Sequence, residues 1–84
     1  MKFQVRLEKN AERQLSKLPE AFRIKVLTIL PIIAENPYSG KKLKGELAGS
    51  YSYRAWPYRI TYKIYKEILV VIIVNVEHRQ GAYK

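Results

Sequence analysis

Hydrophobic and polar residues alternate along the first segment of the chain, where the apolar positions are Phe3, Val5 and Leu7. A period of two residues predicts a half-buried β-strand. The period then changes to that of a helix, with apolar residues at Ala11, Leu15 and Leu18. We expect this helix to begin at Asn10, because asparagine is a favoured N-cap residue.

A second helix is predicted over residues 20–36, directly after Pro19, which ends the first helix. Its apolar residues form a stripe: Phe22, Val26, Ile29, Leu30 and Ile33. Pro31 lies inside this pattern and predicts a kink, or a helix that ends soon afterwards. The two helices form a hairpin whose apolar faces need a sheet to cover them.

Further strands are predicted after a basic loop over residues 41–45. Side-chain character alternates over residues 51–56 and again over 58–65, and residues 68–76 form a largely β-branched run typical of a buried central strand. We therefore predict a single α+β domain over residues 1–84. It consists of an N-terminal strand, a two-helix hairpin and a three-stranded antiparallel meander, with one sheet and the helices on one face.

Composition adds a strong positive charge to this picture. The 84 residues include 16 Lys and Arg against 7 Asp and Glu, which gives a net charge of +9, and the hydrophobic content of 48% is enough for a folded core. Rossmann-type dinucleotide binders, solenoids and large multi-cofactor enzymes are excluded, because all of them need a longer chain. The excess charge indicates an anionic partner: nucleic acid, anionic lipid or an acidic protein.

Metal and membrane chemistry have little support in the sequence. There is no Cys, the single His is His78, and the carboxylates are not clustered. We expect no disulfide, no bound metal and no cofactor. The longest apolar run, residues 68–74, is too short to span a membrane, and the first residues lack the apolar core of a signal peptide. We expect a cytoplasmic protein that does not contact a membrane.

The basic residues concentrate between Lys41 and Lys66, where Glu46 is the single acid. The same stretch holds the only Trp and five of the seven tyrosines: Trp56, Tyr51, Tyr53, Tyr58, Tyr62 and Tyr65. Cations that contact phosphates and rings that stack on bases suit a single-stranded RNA surface. The alternative is that the tyrosines are simply good strand formers and the lysines a solvated face.

Strand phase predicts where two arginines lie. If Ile60 and Tyr62 face the helices, Arg59 faces away from them, and an antiparallel hairpin brings Arg54 onto the same open face. A phosphate would satisfy the planar forks of two such guanidinium groups. The alternative is a solvated or carboxylate-paired arginine.

The C-terminal segment carries a third candidate group, His78, Arg79 and Tyr83. These side chains can supply proton transfer, positive charge and stacking. The alternative is a frayed terminus without a catalytic role.

Taken together, four segments in this order resemble the RelE/ParE superfamily of bacterial and archaeal toxins. They are Leu43-Lys44-Gly45, Gly49-Ser50-Tyr51-Ser52-Tyr53-Arg54, Tyr58-Arg59-Ile60-Thr61-Tyr62 and Val76-Glu77-His78-Arg79-Gln80-Gly81-Ala82-Tyr83. The resemblance extends over essentially the whole chain, including its length, charge and element order.

The resemblance implies the toxin of a type II toxin–antitoxin pair. RelE-type members enter the ribosomal A site and cleave translated mRNA without a metal, by attack of a ribose 2′-hydroxyl on the adjacent phosphate. The implied partners are an acidic antitoxin, the ribosome and mRNA. The antitoxin's amphipathic helix would cover the basic face or displace the C-terminal segment.

The resemblance also implies roles for individual residues. Arg59 would stabilise the phosphate in the transition state, and Arg79 would do the same or assist the leaving 5′-oxygen. Tyr83 would stack on a base or help to activate the 2′-hydroxyl, and Arg54 would contact the phosphate or transfer a proton. RNA contacts are expected from seven further residues: Lys41, Lys42, Lys44, Tyr53, Trp56, Lys63 and His78.

Two departures from the family pattern stand out. Ser52 replaces a residue that is often basic, which leaves Lys44 as a candidate substitute, and the turn between Arg54 and Arg59 is short and contains Pro57. Two alternative functions stay open. One is a ParE-like toxin that inhibits DNA gyrase, and the other is a non-catalytic basic module that binds RNA or an acidic protein.

Overall fold

The computed structural model describes residues 2–78, which form two helices and five strands. The elements in chain order are β1 (Gln4–Leu7), α1 (Lys9–Ser16), α2 (Glu20–Glu35), β2 (Lys41–Lys42), β3 (Ser50–Ala55), β4 (Tyr58–Tyr65) and β5 (Val70–His78). Short 3₁₀ turns at Pro37–Ser39, Gly45–Leu47 and Lys66–Ile68 lie between them. Within residues 2–78, no helix is long and apolar enough to cross a membrane.

The five strands form one mixed sheet in the order β1-β5-β4-β3-β2. β1 runs parallel to β5, and the other neighbours are antiparallel. This confirms the predicted α+β class and the meander of β3, β4 and β5. The predicted loop over residues 41–45 was wrong at its start, because Lys41 and Lys42 pair with β3 as a short edge strand. The strand predicted over residues 68–76 is shifted by two residues, because Ile68 belongs to a 3₁₀ turn and β5 covers Val70–His78.

The helices cover one face of the sheet, and the core lies between them. Ala11, Leu15 and Leu18 of the predicted first face are buried, as are Val26, Leu30 and Ile33 of the second helix. From the sheet, Ile60, Tyr62, Val71, Ile73 and Val76 join them in one cluster. The predicted phase of β4 is thus confirmed, and its odd-numbered residues from Arg59 to Tyr65 belong to the opposite face, which we call the open face.

The predicted N-cap at Asn10 was wrong, because the N-cap residue is Glu8, two residues earlier, and α1 begins at Lys9. The Asn10 amide instead donates to Asn75 Oδ1 at 2.8 Å and to the Val74 carbonyl at 3.4 Å. Gln14 Oε1 accepts a hydrogen bond from the Val76 N–H at 2.7 Å. β1 ends opposite Ile73, so these side chains of α1 satisfy the edge of β5 that β1 does not reach.

Pro31 does not end α2, which continues to Glu35. The ring removes the N–H that would have bonded the carbonyl of Leu27. Both residues lie on the exposed side of the helix, where water can take the place of the missing donor. The helix ends one turn later, within the range the sequence predicts.

Tyr62 anchors the segment that follows α2 to the centre of the sheet. Its side chain is fully buried, and its hydroxyl donates to the Pro37 carbonyl at 2.6 Å. Gly40 passes so close that an added Cβ would collide with the Tyr62 hydroxyl and with the Ser52 carbonyl, 2.7 Å away. The tyrosine and the glycine together bring β2 alongside β3.

Tyr62→Phe removes this buried donor and leaves the Pro37 carbonyl without it. We expect a loss of about 1–3 kcal/mol in the free energy of unfolding, the usual cost of an unsatisfied buried polar group. Urea denaturation of both proteins measures the difference. Tyr65→Phe, at an exposed tyrosine on the same strand, is the control and should change stability little. An unchanged midpoint for Tyr62→Phe would contradict the anchoring role.

Burial also raises the pKa of the Tyr62 phenol from 10.0 to about 12. The folded state therefore disfavours ionisation, and above pH 10 the unfolded chain loses this proton first. The stability that Tyr62 contributes should be complete below pH 10 and should fall by up to about 1.4 kcal/mol per pH unit between pH 10 and 12. The measurement is the stability difference between the wild type and Tyr62→Phe across this range, which cancels the titration of other groups. A constant difference would contradict the shift.

Candidate functional site

Two arginines lie directly opposite each other near the β3–β4 turn. Arg54 and Arg59 are register partners, and Glu77 of β5 is the register partner of Arg59 on its other side. Directly opposed residues in antiparallel strands have Cα atoms about 4.5–5.5 Å apart. This confirms the predicted placement on one face. Like charges directly opposite each other are unfavourable in a sheet, and an anion bound between the two arginines would reduce that repulsion.

The open face carries two adjacent depressions. The first has a volume of about 400 Å³ and is lined by Ser39, Gly40, Lys41, Ser52, Tyr53, Arg54 and Arg59. The second, of about 460 Å³, is lined by Lys41, Lys42, Leu43, Lys44 and Arg59. Among these described lining residues none is acidic, and Lys41 and Arg59 are shared by both. The charge and the shape favour a polyanion that extends over more than one phosphate.

The turn between the two arginines is attached to the helix layer. Lys25 of α2 donates from Nζ to the Trp56 carbonyl at 2.7 Å. Tyr58, at the other end of the turn, packs edge-on against Phe22 with ring centroids 5.3 Å apart. These contacts hold the ends of β3 and β4, and with them Arg54 and Arg59, on a rigid support.

Most of the predicted tyrosines lie on the opposite side of the sheet from the cations: Tyr51, Tyr53, Tyr58 and Tyr62 pack with the core, whereas Tyr65 belongs to the open face. Tyr51 stacks on Tyr62 with ring centroids 5.9 Å apart, and Tyr53 is half-buried against the core while also lining the first depression. Strand alternation explains the separation, since Tyr51 and Tyr53 are out of phase with Arg54. Base stacking by Tyr53 stays a prediction.

The other predicted RNA-contacting residues lie at different distances from the depressions. Lys63 is exposed on the open face but two register rows beyond Arg59, about 13 Å along the strand. Trp56 is about half exposed in the β3–β4 turn. His78 is the register partner of Tyr58 and packs edge-on against its ring at 5.4 Å, which directs it away from the arginine row. Contacts of these three residues with RNA stay predictions.

Arg79 and Tyr83 lie outside the described residues, so their predicted roles stay predictions. Within residues 2–78, no group of three or more His, Asp or Glu side chains is arranged to hold a metal ion.

Sequence reasoning missed two residues that shape the first depression, Ser39 and Gly40. The sequence offered a partial signal, because glycine is common in turns and where two backbones approach closely. Its partner Tyr62 is remote in sequence, so the contact itself was not visible.

Comparison with known proteins adds to this geometry. A model of the ParE toxin of type II toxin–antitoxin systems matches residues 5–83. The chain belongs to the RelE/ParE superfamily of type II toxins. Toxin RelG of Mycobacterium tuberculosis is 36% identical over 86 residues, which cover 100% of this chain and 99% of the relative.

Solved structures agree with this membership. The toxin–antitoxin complex RelBE2 of M. tuberculosis contains a chain that superposes with a TM-score of 0.88 at 36% identity, covering 94% of this chain and 100% of the other. The archaeal RelE–RelB complex of Pyrococcus horikoshii contains one with a TM-score of 0.80 at 26% identity, covering 98% and 100%. The chain is therefore a RelE-like toxin in sequence and in fold.

The electrostatic role of the arginine row predicts a change in salt dependence. For a 2′-O-methyl single-stranded RNA, which lacks the 2′-hydroxyl nucleophile, the slope of log K against log salt concentration is negative. Removal of one phosphate contact makes this slope less negative by about 0.7. We expect this change for Arg59→Ala. Lys17→Ala, at an exposed lysine that follows α1, should leave the slope unaltered. Equal slopes for the wild type and Arg59→Ala would show that Arg59 does not contact phosphate.

Proposed function

We propose that this toxin is a ribosome-dependent endoribonuclease that cleaves translated mRNA and so inhibits translation in the cytoplasm. The observation that supports it most is the row of opposed arginines, Arg54 and Arg59, beside a depression to which Lys41 adds a third cation. Phosphoryl transfer places extra negative charge on the oxygens around phosphorus, and prearranged cations stabilise that charge.

The proposed reaction uses the RNA's own nucleophile. The ribose 2′-oxygen loses its proton and bonds to the adjacent phosphorus, while the bond from phosphorus to the 5′-oxygen of the next nucleotide breaks and that oxygen takes up a proton. The products are a 2′,3′-cyclic phosphate and a 5′-hydroxyl. No metal is needed to generate the nucleophile, because it is part of the substrate.

In this proposal each residue has one part of the task. Arg59 contacts the nonbridging oxygens of the scissile phosphate, and Arg54 contacts the same phosphate or transfers a proton. Arg79 stabilises the same phosphate or assists the leaving 5′-oxygen, and Tyr83 stacks on a base or helps to activate the 2′-hydroxyl. Arg54 and Arg59 belong to the residues that the structure describes, and their direct opposition in β3 and β4 supports contact with one phosphate.

An acidic antitoxin is the proposed protein partner. The two similar solved structures are complexes of RelE-type toxins with their antitoxins. With a net charge of +9, this chain would attract an acidic polypeptide to the face that also attracts RNA. Neutralisation and substrate exclusion would then result from one contact.

A second candidate is inhibition of DNA gyrase, since the matching family model is described as the ParE toxin. This function would use the same fold and charge but would not require the arginines to act on a phosphate. The two candidates therefore differ in the effect of substituting Arg54 and Arg59.

The deciding experiment maps cleavage of mRNA on programmed ribosomes with and without the toxin. We expect new ends within codons, each bearing a 5′-hydroxyl. Arg59→Ala and Arg54→Ala should each lower the cleavage rate by about 10²–10³, the effect of removing one transition-state donor. Arg79→Ala should have an effect of similar size. Thermal melting of each variant serves as the control for folding.

Two outcomes would contradict the proposal. Absence of new mRNA ends, together with gyrase-dependent DNA breaks, would favour the ParE-like function. Normal cleavage by folded Arg54→Ala and Arg59→Ala variants would show that the catalytic assignment is wrong even though the toxin is a nuclease.

A further inference from the structure

We propose that Lys41 is a catalytic residue that contacts the scissile phosphate from a neighbouring strand, in the register row of Ser52. This inference rests on the proposed nuclease function and adds a third cation to it. It assigns Lys41 a role in the chemical step, which is more than a general contact with the RNA backbone.

Strand register is the first observation. Lys41 is the register partner of Ser52, and Ser52 is the partner of Thr61 in the next strand. Arg54 and Arg59 are two residues further along β3 and two residues back along β4, so they form the adjacent row on the same face. Lys41 and the two arginines therefore surround Ser52 from three directions.

The shape of the face is the second observation. Ser52 is 6% exposed and has a short side chain, so it forms the floor of the first depression. Lys41 is exposed on the edge strand, and its four-carbon stem can extend across one strand spacing of about 4.8 Å. The small residue leaves room for a phosphate, and the long residue beside it supplies the charge.

The position of Lys41 distinguishes it from the other lysines. Of residues 2–78, only Lys41 and Arg59 line both depressions, whereas Lys42 and Lys44 line the second alone. Lys42 is the register partner of Tyr51, which belongs to the helix side of the sheet. Ser52 replaces a residue that is often basic in this superfamily, and the sequence had suggested Lys44 as the substitute cation. We assign this substitution to Lys41 instead.

The support under Lys41 is unusually firm for an edge strand. The chain reaches β2 directly from Gly40, which lies against the Tyr62 hydroxyl and the Ser52 carbonyl. The position of the Lys41 backbone relative to Ser52 is therefore determined by buried contacts, as the geometry of a catalytic group requires.

The test relocates the charge and keeps the composition constant. In ribosome-programmed mRNA cleavage, Lys41→Ser should lower kcat by about 10²-fold, with a much smaller change in KM, because the lost contact strengthens in the transition state. The exchange variant, Lys41→Ser with Ser52→Lys, has the same net charge and returns the cation to the same row. It should cleave substantially faster than Lys41→Ser alone.

Two further variants serve as controls. Lys41→Arg keeps the charge at its position and should retain most of the wild-type kcat. Lys66→Ala removes one exposed lysine from the β4–β5 turn, away from both depressions, and should leave kcat and KM unchanged. Melting temperatures report whether each variant is folded.

The outcomes separate this inference from the function on which it rests. Cleavage by Lys41→Ser at the wild-type kcat overturns the role of Lys41 and leaves the nuclease proposal intact. A different result shows that Lys41 is structural. In that result kcat falls equally in Lys41→Ser and in a folded exchange variant, and Lys41→Arg does not retain the wild-type kcat. Absence of cleavage by the wild type overturns the nuclease proposal and this inference with it.

Discussion

The hydrogen bond from the buried Tyr62 hydroxyl to the Pro37 carbonyl is the contact on which the rest of this structure depends. A phenol at the centre of a sheet must find a partner, and here the partner belongs to the turn that follows α2. The turn is thereby attached to the middle of the meander. Gly40 then allows the backbone to pass against β3, and the edge strand that begins at Lys41 takes its register from this approach. A core interaction thus determines the positions of surface cations.

The fold could be predicted from the sequence wherever periodicity was strong. The alternation over residues 58–65 and the apolar stripe of α2 directly reflect which side of each element is buried. Short-range rules failed where a distant element supplied the partner. Asn10 looks like an N-cap, but its amide donates to Asn75 of β5, which is 65 residues away in sequence. Lys41 and Lys42 look like loop residues because a segment of two residues is too short to show a strand-like alternation. They form a strand because they pair with β3.

The candidate site was predictable to the extent that it depends on strand phase. Arg54 and Arg59 share a face because the turn between them is short, and register follows from that. The tyrosines show the limit of composition, because residues that are neighbours in sequence point to opposite sides of a sheet. Tyr51 and Tyr58 pack against other rings, so part of the aromatic content that suggested base stacking belongs to the core. The depressions depend on contacts across three segments, residues 39–44, 52–54 and Arg59, which no local pattern encodes.

Asn10 and Gln14 have a consequence for how this protein can associate. A strand edge with unpaired backbone groups is a template for another strand, and β5 extends beyond β1 with such an edge. The two amide side chains of α1 occupy it, with Gln14 accepting from the Val76 N–H and Asn10 donating to the Val74 carbonyl. The backbone groups of Val74 and Val76 on this edge are therefore occupied from within the chain and do not serve as such a template. Among the described strands β1 and β2 are the outer ones, and an extended peptide that joined the sheet at β2 would lie beside Lys41.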